Sequence, residues 1–264
     1  MLKYRSNLFN FISVGANTLL HKGVFILNGR YLLTILMYIF VQFSGILFGI
    51  DLLLANGVAK DEAIAIWTVI SFSVGLLVVL LILLPDIRDR HHFSNRVSRT
   101  SAAGWAISGI FLAFLAQVVA AQIEMLLGIE MGSENTEILV EIAMGTPIFI
   151  VVTSVVGPIF EEIIFRQIIF GSLYKRFNFW IAAIISSLIF AAVHFDFTHI
   201  IIYTAMGLVF SFLYVKTKRI LVPIVAHVSM NTFVVLVRII FADDMEKLQK
   251  QYEQMQVFVG GFLQ

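Results

Sequence analysis

The chain of 264 residues contains no cysteine, only four prolines and few charges, 13% of all residues. The missing thiols exclude disulfides, thiolate metal sites and a cysteine nucleophile. The scarcity of charge stands against 59% hydrophobic residues and a mean hydropathy of +0.94. A soluble domain has roughly a quarter of its residues charged, and no polar stretch here is long enough to build one. A basic patch interleaved with aromatics is also lacking, so nucleic acid is excluded as a partner. The first residues, MLKYRSNLFNFISVGANTLLHKG, lack the compact apolar core and small-residue site of a cleavable signal.

What is present is apolar and periodic only in its breaks. Hydrophobic runs at about 31–50, 63–84, 102–127, 143–173, 179–195, 198–215 and 220–241 each approach the ~20 residues that a helical span requires. The sequence therefore predicts an all-α, polytopic membrane bundle of about seven transmembrane helices. Residues 1–30 read as a cytoplasmic or interfacial segment, and 242–264 as a solvated tail helix with a membrane-touching end. Basic residues sort the loops. Arg88, Arg90, Arg96 and Arg99 fall between spans two and three, Lys175 and Arg176 after span four, and Lys216, Lys218 and Arg219 after span six. The alternate loops carry Asp51, Asp61, Glu62, Glu130, Glu134, Glu137 and Glu141. This alternation predicts a cell-membrane protein with its N-terminus in the cytoplasm and its C-terminus outside.

Against that background Glu161, Glu162 and Arg166 are expensive. A charge at a bilayer centre costs about 2.5–3.5 kcal/mol on insertion scales, so this cluster has to face a protein interior or a wet cavity. Glu162 and Arg166 are one helical turn apart and can pair, whereas Glu161 has no such local partner. Of the six histidines, His21, His91 and His92 fall in polar segments and read as solvated, as do Asp196 and His199 at a span edge. His194 follows Phe190 by four residues, and Asn231 follows His227 by four, so each pair shares a helical face. At 1.5 Å per residue from the basic span ends, Glu161 and His194 lie about 22 Å deep, and His227 and Asn231 about 10–16 Å. Gly157-Pro158, just before the carboxylates, is a place for a kink or local unwinding.

EExxxR at Glu161–Arg166, FxxxH at Phe190–His194 and HxxxN at His227–Asn231 together resemble the three motifs of the CPBP family. These are intramembrane proteases of the CAAX-prenyl-protease type II and bacteriocin-processing (Abi) kind. GPIFEEIIFR, SSLIFAAVHFDF and KTKRILVPIVAH are similar to short Gram-positive members of the MroQ type. The resemblance implies a protease domain over 143–241, with 31–142 as accessory transmembrane helices. It implies a membrane-associated peptide or protein as substrate, in the setting of peptide-pheromone or bacteriocin-related processing. The prenylated CAAX substrates of the eukaryotic branch do not carry over to bacteria.

Hydrolysis then needs an activated water, a base and an oxyanion stabiliser. The expected scheme has Glu161 as general base and His194 holding the water, with His227 and Asn231 donating to the oxyanion. Glu162, Arg166 and Phe190 support them. A metal version uses Glu161, His194 and His227 as zinc ligands; HExxH is absent, and the metal-free scheme is preferred, with no cofactor. Two other readings use the same residues. A transporter would carry ions past the intramembrane charges but should show inverted repeats, and none is visible. A non-enzymatic scaffold or immunity protein would keep the fold and bind a partner, yet the motif residues are intact.

Overall fold

The computed structural model describes residues 28–89, 95–130 and 132–241. Among them every regular element is helical. In chain order these are α1 (Gly29–Ala55), α2 (Lys60–Ile82) and a short α3 (Leu84–Asp89), followed by α4 (Arg99–Leu126) and α5 (Glu134–Gly145). After them come α6 (Ile148–Tyr174), α7 (Phe179–Ala192), α8 (Phe197–Thr217) and α9 (Leu221–Ile240). Six of these are long and apolar enough to cross a membrane, and α7 is a shorter apolar helix. The all-α membrane bundle is thus observed. His21, His91 and His92, and the segments 1–27 and 242–264, lie outside the described residues.

Two boundaries differ from the hydrophobic runs for local reasons. The run starting at 143 is split, because Thr146 is extended ahead of Pro147, as a residue before proline prefers. The α7 run ends early, because Phe195 takes a left-handed φ of 55°, a conformation uncommon outside glycine. That turn halts α7 inside the bundle and leaves His194 on its end.

Helix α6 does not unwind at Gly157-Pro158. Instead, π-helical turns at Val152–Val156 and Glu162–Phe170 flank an α-helical Gly157–Glu161. Pro158 has no N–H to give to the carbonyl one turn back, and widened turns are a way of re-registering a helix around such a break. The two glutamates therefore stand at the edge of a π segment, and Arg166 in its middle.

Small residues let the helices close up. A Cβ on Gly207 of α8 would fall 2.6 Å from the Ser187 Cβ of α7, the close-approach device common in membrane bundles. The central core joins Phe160, Ile164, Phe165, Phe190, Phe210 and Leu213. Outside it, large apolar side chains such as Ile46, Phe111 and Leu126 are exposed, a surface suited to lipid rather than water.

Candidate active site

Glu161 is the midpoint of Ile148–Tyr174. It lines a cavity of about 760 Å³ together with Phe190, His194, His227 and Asn231, a size typical of ligand sites. Members of all three motifs therefore converge on one space. Glu162 and Arg166, the remaining motif residues, lie behind its wall with 0% and 1% exposure.

The two adjacent glutamates are in different surroundings. Glu162 Oε1 is 3.3 Å from Arg166 Nη1, as the one-turn spacing predicts. It is also 2.9 Å from His227 Nδ1, which the sequence did not reveal. With Arg166 on the same oxygen, Glu162 serves as the acceptor and Nδ1 as the donor. In its neutral form His227 then has its lone pair on Nε2, the atom that faces Glu161 Oε2 at 3.9 Å. The Glu161 carboxylate keeps partial exposure in the cavity, 15%.

Arg166 is held from its flat sides as well. Its guanidinium lies 4.3 Å from the Phe190 ring centroid and 5.1 Å from that of Phe210, so cation–π attraction supplements the single ion pair. Phe210 also stacks on His227 at 4.6 Å. Phe190 is thus more than a spacer in its motif. It seats Arg166 and packs edge-on against His194 at 4.6 Å. Phe210 belongs to none of the three motifs.

His194 donates from Nδ1 to the Phe190 carbonyl at 2.7 Å and stacks on Tyr203 at 4.2 Å. Its neutral form also presents Nε2 as an acceptor. Asn231 sits one turn beyond His227 on α9. The first helices contribute too: Tyr38 and Gln42 of α1, hydrogen-bonded to each other at 2.8 Å, line the same cavity.

At the rim, His199 is buried rather than solvated, which corrects the sequence expectation. Its Nδ1 meets Glu124 Oε2 at 2.7 Å and its Nε2 meets the Gly132 carbonyl at 2.7 Å. Glu124 Oε1 accepts the backbone N–H groups of Ile201 and Ile202, so it caps the start of α8 while holding the ring. Asp196 accepts from the Ser133 hydroxyl at 2.6 Å. No local motif marks Glu124, which is separated from His199 by 75 residues.

The donors suit a metal in kind, since His194 and His227 each have Nδ1 engaged and Nε2 turned to the cavity, the usual outer-shell arrangement for imidazole ligands. Their placement does not. Among the described residues no three histidine, aspartate or glutamate side chains stand close enough to share one ion.

Comparison with known proteins adds an independent line. Residues 143–233 match the family described as type II CAAX prenyl endopeptidase, Rce1-like. The chain is 45% identical to the "Putative membrane peptidase YdiL" of Bacillus subtilis, across 88% of this chain and 98% of that protein. It is 34% identical to the "Membrane-embedded CAAX protease MroQ" of Staphylococcus aureus, across 83% and 93% respectively. No solved structure matches.

Proposed function

Because the chain belongs to the Rce1-like CAAX protease family of membrane-embedded peptidases, we propose that its cavity hydrolyses one peptide bond of a membrane-associated peptide or protein, with Glu161 activating the water. The observation that carries this is the approach of Glu161 Oε2 to Nε2 of His227 in the cavity. At 3.9 Å the two do not bond directly, and a water shared between them meets an acceptor on each side.

In the scheme, the water oxygen attacks the carbonyl carbon while its proton passes to Glu161. The C–N bond of the tetrahedral intermediate then breaks, and Glu161 returns that proton to the leaving nitrogen. One water is consumed, and the products are an acid and an amine. In this reading one role differs from the sequence expectation. With Nδ1 given to Glu162, neutral His227 cannot donate from Nε2, so it belongs with the water. Asn231, whose amide donates, is left to meet the oxyanion. His194 Nε2 is a second acceptor for water or for a substrate N–H. Glu162 orients His227, and Arg166 holds Glu162. No step is routed through a metal, because the donors do not converge.

The natural substrate is proposed to be a peptide precursor or surface protein, in the pheromone- or bacteriocin-related setting that the motif resemblance implies. Comparative peptidomics of cells making the wild type or Glu161→Gln tests it. The expected result is a membrane-associated precursor that accumulates in the variant, with its two fragments missing. Identical peptide inventories, at equal protein abundance, would refute the proposal.

A further inference from the structure

The cavity has a blind end and an open end, and both can be placed against the charges of the chain. On α4, which starts at Arg99, the wall begins only at Gln117 and continues to Glu124. On α9, which starts just after Arg219, it begins at His227 and continues to Arg238. On α6 it runs from Phe149 to Glu161, and nothing from Glu162 to Tyr174 takes part. Every contributing helix follows this rule: the residues near Arg88, Arg96, Lys175, Lys216 and Arg219 line none of it.

The blind end has a physical plug. Glu162, Arg166, Phe165, Phe190 and Phe210 fill the bundle beneath Glu161, each with 2% exposure or less. The Arg166 guanidinium among them lies over the rings of Phe190 and Phe210. The other end is formed by the α4–α5 connection and the turn at Phe195, with the polar side chains of Asn135 and Thr136 beside apolar Ile46, Trp67 and Phe195. A wall so mixed suits an extended peptide segment with alternating apolar and polar groups, paired along its backbone.

Basic residues mark the cytoplasmic ends of membrane helices. The geometry therefore points to loading from the non-cytoplasmic side: the substrate is a peptide segment already carried across the membrane or presented at its outer leaflet, so an export or insertion reaction must precede this cleavage. The inference rests on the protease reading for the word substrate, but the direction of access does not depend on it.

The chain has no cysteine, so single cysteines report access cleanly. A membrane-impermeant maleimide would be applied to sealed spheroplasts carrying Thr136→Cys at the rim, Gln117→Cys deeper in the wall, or Lys175→Cys and Arg99→Cys at the basic end. Each is repeated after permeabilisation, and blots confirm equal abundance. The expected result is labelling of the first two before permeabilisation and of the last two only after it. The reverse pattern overturns the proposal, and so does Gln117→Cys that stays unlabelled from outside while Thr136→Cys reacts. Two positions at each end guard against one variant failing to fold. Because labelling does not use cleavage, the same pattern in a chain that cleaves nothing would sink the protease reading alone. Cleavage with labelling only from inside would sink this one alone.

Discussion

The Nδ1 of His227 lies 2.9 Å from Oε1 of Glu162, and this contact separates the tasks of two neighbouring glutamates. Glu162 meets both Arg166 and His227 through its Oε1 and has no exposure. Glu161 keeps its carboxylate in the cavity.

The two isosteric changes should therefore fail differently. Glu161→Gln keeps shape and leaves the buried network intact, so melting temperature and abundance should stay near wild type while cleavage disappears. Glu162→Gln strands Arg166 without its counter-charge, and breaking a buried pair costs about 3–5 kcal/mol. Thermal unfolding in detergent, measured beside peptide cleavage, distinguishes them. A stable but inactive Glu162→Gln with an active Glu161→Gln would assign the base to the other glutamate.

Asn231→Ala should lower kcat by roughly 10²–10³, the usual cost of losing one oxyanion donor, with KM little changed. Asn231→Asp should be worse, because it puts a like charge where the oxyanion forms. If both variants instead raise KM at unchanged kcat, Asn231 binds substrate and does not stabilise the transition state.

Arg166→Lys keeps the charge but loses the flat guanidinium that lies over Phe190 and Phe210. The two side chains are not interchangeable at a stacked site. The variant should melt earlier, and Phe210→Leu should show the same symptom more mildly, by about 0.5–2 kcal/mol for a cation–π contact. Wild-type melting for both would show that the ion pair alone holds Arg166.

Gly207→Ala should loosen α7 against α8, since the added carbon meets Ser187 at its Oγ, Cβ and Cα, 2.5, 2.6 and 2.9 Å away. Adding Ser187→Gly removes the first two of those three contacts, so part of the lost stability should return. Additive losses in the double variant would mean that the two helices had already moved apart.

Protein purified without added metal should contain far less than one zinc per chain and retain cleavage after chelation. Metal analysis and assay before and after chelator decide it. One tightly bound zinc whose removal abolishes turnover and whose return restores it would require Glu161, His194 and His227 to draw closer than they stand here.

The parts of the site written in local spacing were readable from the sequence. Glu162–Arg166 follows from one helical turn, and the sharing of a face by His227 and Asn231 follows from the same count. The partnerships that cross the bundle were not readable. Glu162 and His227 are 65 residues apart, and nothing in either segment names the other. Phe210 looks like any phenylalanine of an apolar span until α8 brings it beside Arg166. His199 misled for a related reason. A polar residue at a span edge normally meets water, but here the backbone folds Glu124 and Gly132 over it. The all-helical architecture needed only run length and hydropathy, whereas the early end of α7 depended on one left-handed residue.

The π-helical stretch Glu162–Phe170 makes this part of the chain a matter of counting as much as of chemistry. A wider turn holds more residues, and removing one residue turns everything before it by about 100° relative to everything after it. Glu161 stands on one side of that stretch and Tyr174 on the other. A one-residue deletion between Gln167 and Phe170 would keep every motif letter yet turn Glu161 relative to the end of the helix. Descendants of this sequence are free to exchange its aliphatic side chains, but not to change its length.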